Sequence, residues 1–217
     1  MHLPKQTFFN LSQEKREKIE QAALNEFAEY GYDNSNMNRI VASSQIAKGS
    51  FYQYFDDKKD VYLYLMDSLA NRKIELFRSL ICAIEQNSLL HNLREMFRIG
   101  LEFANSDPKF FKLSQNSVYK NPELLQEFNE KYNPVALDIF GKMLENARKK
   151  GELRVDVNIP LISSFISALV SKATLDLIAG AAQKETREAV VEELIRFIEC
   201  AVIKNNNGGR QSGSNKS

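Results

Sequence analysis

Apolar residues recur at helical spacing along nearly the whole 217-residue chain. Between Ser12 and Tyr30, for example, Ile19, Ala23 and Phe27 share one stripe, while glutamate and lysine occupy the opposite side. Valine, isoleucine and threonine are sparse beside leucine, alanine, glutamate and lysine, and only nine glycines and five prolines interrupt the pattern. We therefore predict an all-α chain of about nine helices joined by short loops.

The net charge and the apolar segments restrict the partners of the whole chain. A formal charge of +1 creates no strong overall field toward nucleic acid or an anionic membrane, so any charge argument is local. The N-terminus "MHLPKQTFFN" has no apolar leader, and no window approaches the roughly 18 apolar residues that span a bilayer. We expect a cytoplasmic protein with no membrane partner.

Residues for catalysis or metal binding are few. His2 and His91 are the two histidines, and neither has a cysteine or acidic pattern beside it. Cys82 and Cys200 lie far apart in apolar helical patterns, so we expect two buried, reduced thiols. No nucleophile elbow or phosphate loop is present. We predict no cofactor, no metal and no catalytic residue.

The stretch "IAKGSFYQYF" from Ile46 places four aromatic rings among small polar residues. With 100° per residue, Phe51 and Phe55 share a face that can anchor a short helix, about Lys48 to Phe55, to a core. A preceding short helix covers Met37 to Ser44. The outward side of the second helix is a strip of small polar residues, Gly49, Ser50 and Gln53. Tyr52 and Tyr54 lie on its two flanks.

Acidic residues are missing from this helix pair. Residues 1–60 carry eight Lys/Arg and nine Asp/Glu, yet Asn34 to Phe55 contains two cations and no acid. A surface that approaches a phosphate backbone is expected to lack acidic residues, because the phosphates would repel each carboxylate. Two short helices with a tight connection indicate a helix-turn-helix that binds DNA. The alternative is a charge-poor helical hairpin that only packs.

Two stretches of this region resemble a known family. "KGSFYQYFDDKKDVY" and "LNEFAEYGYDNSNMNRIV" are similar to the signature of TetR/AcrR-family transcriptional regulators over about residues 12–72. The resemblance implies a three-helix DNA-binding domain over residues 10–72 and a larger helical effector-binding and dimerisation domain over residues 73–204. The low-complexity tail, residues 205–217, is expected to be disordered.

The resemblance also implies which residues meet DNA, and three positions depart from the family pattern. Gln45 stands where glycine is frequent, so either the turn is not left-handed or Gln45 is strained. Ala47 replaces a capping Ser or Thr, and Arg39 replaces a frequent acid and could add a phosphate contact. The candidate DNA-binding residues are Asn36, Asn38, Arg39, Lys48, Gly49, Ser50, Tyr52, Gln53, Tyr54 and Lys58.

The last two helices, near residues 160–179 and 186–203, carry candidate dimer contacts. The resemblance implies that they pair with their symmetry mates as a four-helix bundle. A two-fold dimer would place two recognition helices about 34 Å apart, matched to a palindrome. An internal core pair is the alternative. The candidate interface residues are Leu161, Phe165, Leu169, Val191, Leu194, Ile198 and Val202.

Aromatic residues of the middle helices are the candidates for an effector site. A cavity walled by such rings suits an apolar or aromatic ligand, although each ring could equally be core. A serine in the apolar helix after residue 160 could offer a hydroxyl or allow close packing. The candidates are Phe97, Phe103, Phe111, Tyr119, Phe128, Phe140 and Ser167.

Together these features predict a ligand-responsive, homodimeric regulator that binds a palindromic double-stranded operator. A small, largely apolar molecule would release it, which would make it a repressor. The alternatives are a helical protein–protein adaptor or an all-α enzyme that does not bind DNA.

Overall fold

A computed structural model describes residues 4–106, 108–109, 112–113, 121–170, 180 and 184–204. Phe111, Tyr119 and the tail at 205–217, about which predictions were made, lie outside the described residues. The described residues form nine α-helices and one isolated antiparallel bridge, Leu153 to Ile203, so the all-α prediction is confirmed. The helices are α1 (Gln6–Phe9), α2 (Gln13–Asn34), α3 (Met37–Ser44), α4 (Lys48–Phe51), α5 (Lys58–Ala83), α6 (Leu89–Ser106), α7 (Pro122–Lys149), α8 (Ile159–Leu169) and α9 (Lys184–Val202).

Helix α2 begins after a capping residue, Ser12, and its helical backbone is interrupted at Gly31. The Ser12 hydroxyl accepts a hydrogen bond from the Lys15 N–H at 3.4 Å. At Gly31 a φ of 71° and a ψ of 175° interrupt the helical backbone. Glycine populates this region at low cost because it has no Cβ. The chain resumes helical hydrogen bonding and continues to Asn34.

Helix α7 passes through a proline without ending. One helix spans Pro122–Lys149, with Pro134 in its interior. Asn121 caps the start of this helix, because its Oδ1 accepts from the Leu124 N–H at 3.3 Å. Apolar residues on both sides of Pro134, among them Leu124 and Met143, are buried. Their burial outweighs the roughly 3 kcal/mol that an interior proline costs.

The first of two compact units contains the described residues among 1–78 and 98–135. Helices α1 to α4 and most of α5 lie in it, together with the end of α6 and the start of α7. It therefore includes residues beyond 72, where the sequence predicts a domain boundary. Its core is dominated by aromatic rings and aliphatic side chains, including Phe8, Ile19, Phe27, Ile40, Phe51, Phe55, Tyr62, Leu65, Leu113 and Leu124.

The second unit contains the described residues among 79–97 and 136–204. Buried amides fix the connection between α5 and α6. Asn146 Nδ2 donates to the Ile84 carbonyl at 2.9 Å, and Asn92 Nδ2 donates to the same carbonyl at 3.1 Å. On the surface, Arg94 Nε and a Glu192 carboxylate oxygen are 3.0 Å apart and join α6 to α9.

Both cysteines differ from expectation. Cys82 and Cys200 are free thiols, but they are exposed rather than buried. Each follows an apolar helical pattern in the sequence, yet the helix presents that position to solvent. Within the described part of the chain, no group of three or more His, Cys, Asp or Glu residues could hold a metal ion. No helix of that part is long and apolar enough to cross a membrane.

Candidate nucleic-acid interface

Helix α3 is fixed by its cap and by a buried apolar face. Asn36 Oδ1 accepts from the Asn38 N–H at 2.8 Å, which satisfies a donor that the helix itself leaves free. Ile40 and Val41 are buried against the core of the first unit. The side chains of Asn36 and Asn38 are exposed, as predicted.

The turn between α3 and α4 is left-handed at Gln45. Its φ of 58° and ψ of 28° make it the single non-glycine residue with positive φ among the described residues. The tight turn typical of a helix-turn-helix is therefore formed without glycine, at a cost of about 1–2 kcal/mol. Ala47 precedes α4 and provides no side-chain cap, as the sequence indicates.

Helix α4 is shorter than predicted. The α-helix covers Lys48–Phe51, and the chain continues through turns to Tyr54. In these turns the Gln53 N–H donates to the Ser50 carbonyl and the Tyr54 N–H to the Phe51 carbonyl, both at 3.0 Å. This tightening to a three-residue spacing is common at helix ends.

The predicted outward strip is largely at the surface. Lys48, Gly49, Tyr52 and Gln53 are exposed, and Ser50 is half-buried. Phe51 and Phe55 on the opposite side have no exposed surface. A Cβ atom added to Gly49 would meet no atom of the protein within 4 Å. The fold therefore has no steric need for glycine at this position.

Tyr54 lies in the core rather than on the flank of the strip. It is 9% exposed, and its ring centroid lies 6.1 Å from that of Phe8 in an edge contact. The prediction that Tyr54 flanks the outward strip is therefore wrong. The early end of the α-helix changes the direction of the side chain from that of a regular helix. The residues that remain at the surface, Lys48, Gly49, Ser50, Tyr52 and Gln53 of α4 and the turn after it with Asn36 and Asn38 of α3, are called the reading surface below.

Arg39 is exposed, and its guanidinium group is engaged by partners within the protein. Its Nε lies 2.8 Å and 3.0 Å from the two carboxylate oxygens of Glu26, and its Nη2 donates to the Asn34 carbonyl at 2.9 Å. Its Cζ stands 4.2 Å from the centroid of the Tyr30 ring. The Glu26 carboxylate raises the pKa of Arg39 and also accepts the Asn36 N–H at 2.7 Å. Arg39 thus holds α2 and α3 together and neutralises a buried acid beneath the surface.

Lys58 has an internal role as well. Its ammonium group donates to the carbonyls of Tyr32 at 2.7 Å and Asp33 at 3.2 Å, and lies 4.6 Å from the Tyr32 ring centroid. Helix C-termini leave carbonyls without partners, and a cation is well suited to satisfy them. Lys58 therefore ties the start of α5 to the end of α2, instead of offering a free charge to DNA.

Comparisons with known proteins identify the family of this fold. The family described as "Bacterial regulatory proteins, tetR family" matches residues 19–65. An uncharacterised HTH-type transcriptional regulator in the lacX 3' region of Lactococcus lactis is 30% identical over 182 residues, covering 78% of this chain and 88% of that protein. The chain belongs to the TetR family of transcriptional regulators. It is thus a DNA-binding regulator with a helix-turn-helix, and this family consists of regulators rather than enzymes.

Two further relatives span most of the TetR-family chain. The "Probable acrEF/envCD operon repressor" of Escherichia coli K12 is 22% identical over 193 residues, covering 84% of this chain and 86% of that protein. A TetR-family transcriptional regulator of Chloroflexus aurantiacus J-10-FL has a crystal structure with a TM-score of 0.65 and 26% identity, and the match covers 94% of this chain and all of that one. The fold therefore extends well beyond the helix-turn-helix.

The aromatic residues predicted to bind an effector divide between the two units of this TetR-family protein. Phe103 and Phe128 are partly buried against the core of the first unit. Phe97 and Phe140 are buried in the second unit, where Ser167 is half-buried. An open groove of about 490 Å³ runs along one face of α7 and contains none of these residues. It is lined by Pro122, Leu125, Gln126, Asn129, Glu130, Asn133 and Pro134.

The candidate dimer residues fall into two groups. Val191, Ile198 and Val202 are buried within the subunit, so they contribute to its own core, and Leu169 and Leu194 are half-buried. Leu161 and Phe165 are 50% and 55% exposed. Phe197, which sequence reasoning missed, is 63% exposed. Its signal is an aromatic ring off the apolar stripe of α9, directly after the charged Arg196.

Glu26 is a second residue that the sequence did not single out. It interrupts the apolar stripe of α2 between Ala23 and Phe27, and it is buried. A lone carboxylate in an apolar stripe indicates a partner elsewhere in the chain, since burial of an unpaired charge is costly. Arg39 fills that role.

Proposed function

We propose that this TetR-family regulator is a homodimeric repressor. It binds a palindromic operator in the cytoplasm and is released by a small, largely apolar effector. One observation carries the DNA-binding part: the segment from Asn34 to Phe55, which forms α3 and α4, has no carboxylate, and the buried Glu26 of α2 is neutralised by Arg39. Such a surface can approach phosphates without repulsion.

The chemistry of the exposed residues assigns their roles toward DNA. Lys48 and the Tyr52 hydroxyl are placed to contact phosphates, which position the protein without reading sequence. Gln53 offers the paired donor and acceptor that suit adenine in the major groove. Gly49 and Ser50 keep the outward strip low enough for the helix to enter the groove, and Asn36 and Asn38 extend the surface from α3. Tyr54 and Lys58 support this surface from within, and Arg39 supports it through its pair with the buried Glu26.

Repression and dimerisation are supported by a relative and by exposed apolar side chains. The Escherichia coli relative is named as a repressor, which favours repression over activation here. Leu161, Phe165 and Phe197 expose large apolar side chains on α8 and α9, and burial of such side chains against a second copy would be favourable. A two-fold dimer then presents two α4 helices to two half-sites about 34 Å apart.

Release by an effector requires a link to the reading surface. Lys58 ties the start of α5 to the Tyr32 and Asp33 carbonyls of α2, so a displacement of the α5 start carries the helix-turn-helix with it. An effector weakens operator binding only if it binds more tightly to the arrangement that DNA disfavours. The rings of Phe103 and Phe128 are partly buried and are the described candidates in the first unit for an apolar contact.

A selection of genomic DNA fragments by the purified full-length protein tests this proposal. We expect enrichment of an inverted repeat, with footprints on half-sites one helical turn apart. Tyr52→Ala should bind the selected duplex at least about fivefold more weakly, the equivalent of one lost hydrogen bond. If no duplex is enriched over bulk DNA, the DNA-binding proposal is wrong and a protein partner for this surface becomes the better explanation.

A further inference from the structure

A short N-terminal segment, residues 4–11, covers the end of the recognition helix. It precedes the stretch at 19–65 that matches the family. Phe8 anchors it, since this side chain is fully buried and its ring centroid lies 5.0 Å from that of Phe55 and 4.9 Å from that of Tyr64. The segment is therefore packed against the same core that holds α4 in place.

Donors of this segment satisfy three consecutive carbonyls after α4. The Lys5 ammonium group lies 3.4 Å from the Tyr52 carbonyl oxygen, and the Thr7 hydroxyl donates to the Gln53 carbonyl at 2.7 Å. The Lys5 N–H donates to the Tyr54 carbonyl at 2.9 Å. The Lys5 ammonium group also pairs with Asp56. These carbonyls belong to the turns that follow the last α-helical residue, Phe51, and the chain beyond a helix end leaves such groups without helical partners. The segment therefore acts as a cap supplied from elsewhere in the chain.

Helix α4 has particular need of such a cap. It is four residues long, it contains Gly49, and Ala47 gives it no side-chain cap at its start. A helix this short has little stability of its own, because helix formation requires a costly nucleus. Its orientation must come from tertiary contacts. The buried side chains of Phe51 and Phe55 supply contacts on the inner side, and the segment at 4–11 supplies them at the end.

We propose that the segment at 4–11 positions the recognition helix and thereby sets operator affinity. This inference rests on the proposed operator binding. Its bonds end on the backbone of Tyr52 and Gln53, whose side chains are proposed to touch DNA. Without the cap, these side chains sample more orientations, and the fraction of molecules that is ready to bind falls. Apparent affinity falls with that fraction.

Thr7→Val tests positioning because it removes a donor and leaves charge and size almost unchanged. Operator affinity is measured by fluorescence anisotropy at several salt concentrations, with the duplex selected above. We expect about three- to tenfold weaker binding by the dimer, which contains the bond twice, with an unchanged salt slope. Thr7→Ser should restore affinity, and Gln6→Ala, a change at the exposed neighbouring position, should match the parent.

Hydrogen exchange provides a readout that does not depend on DNA. In Thr7→Val, the amides of Gln53, Tyr54 and Phe55 should exchange faster than in the parent, and in Thr7→Ser they should not. Equal affinity and equal exchange in Thr7→Val and the parent would overturn the proposal. A reduced salt slope in Thr7→Val would also overturn it, since that result indicates direct contact with DNA. If the parent itself binds no duplex, the proposed function fails, and unchanged exchange in Thr7→Val separately rejects the positioning role.

Discussion

At the scale of single residues, Gln45 carries the clearest local strain. It holds the left-handed conformation of the turn, which favours glycine. Gln45→Gly should raise the free energy of unfolding by about 0.5–1 kcal/mol, because the relief of strain exceeds the entropy that glycine adds to the unfolded chain. Chemical denaturation of the variant and the parent measures this difference in unfolding free energy. Gly31→Ala is the reciprocal control and should destabilise the protein, since Gly31 has a φ of 71°. A loss of stability in Gln45→Gly would contradict this assignment.

Gly49 separates the requirements of folding from those of DNA binding. Its added Cβ would meet no protein atom, and alanine favours helix over glycine by up to about 1 kcal/mol. Gly49→Ala should therefore stabilise the protein and weaken operator binding. Gly100→Ala in α6, where the added Cβ also meets nothing, should stabilise it without a change in operator affinity. Unchanged operator affinity in Gly49→Ala would remove Gly49 from the reading surface.

Residue types on the reading surface were predictable, but their partners were not. The absence of acids from Asn34 to Phe55 is visible in the sequence, and so is the division between Phe51 and Gln53. The pair of Arg39 with Glu26, 13 residues earlier, depends on how α2 and α3 pack. Spacing along one helix contains no information about such a contact, so the exposure of Arg39 was predictable but its pair with Glu26 was not.

At the scale of helices, strong caps and regular apolar spacing made prediction accurate. Helix α3 has the predicted bounds, Met37 to Ser44, and Asn36 caps it. Helix α4 was predicted too long because its end is fixed by residues near the N-terminus, and α1 itself was not predicted. A four-residue helix such as α1 has too few residues for a periodic signal.

Lys58 provides a prediction at this scale. Lys58→Met keeps the length of the side chain and removes the donor to the Tyr32 and Asp33 carbonyls. We expect a loss of about 1–2 kcal/mol in unfolding free energy, with little change in the salt slope of operator binding. Lys15→Met on the exposed side of α2 is the control for the loss of one charge. A strong decrease of the salt slope with unchanged stability would return Lys58 to the DNA surface.

At the scale of the whole molecule, the apolar pattern of the sequence did not distinguish residues buried in the subunit core from residues on its surface. The regular stripe of α9, with Val191, Ile198 and Val202, is buried in the subunit, whereas Phe197 lies off that stripe and is exposed. Apolar periodicity identifies the face of a helix that is buried. It does not indicate whether that face packs within the subunit or against a second subunit. The interface proposed above combines Leu161 and Phe165, which the pattern does predict, with Phe197, which it does not.

The proposed dimer is tested by charge insertion on the exposed faces. Phe165→Glu and Phe197→Glu should each weaken dimerisation at least about tenfold, since an unpaired carboxylate would be buried between subunits. Sedimentation velocity over a range of concentrations measures the association. Val155→Glu is a matched control, because Val155 is fully exposed in the same unit and outside these faces. A parent that stays monomeric, or charged variants that associate as the parent does, would contradict the proposed interface.

The salt dependence of operator binding by Lys48→Ala tests most directly whether the face of α3 and α4 binds DNA. Lys48 and Lys15 are both exposed lysines of the first unit, so Lys15→Ala is a control of equal charge. Anisotropy titrations at several salt concentrations should show weaker binding by Lys48→Ala, with a salt slope shallower by about 1 for each subunit bound. Lys15→Ala should match the parent. Equal affinities and slopes for the two variants would show that DNA does not meet this face.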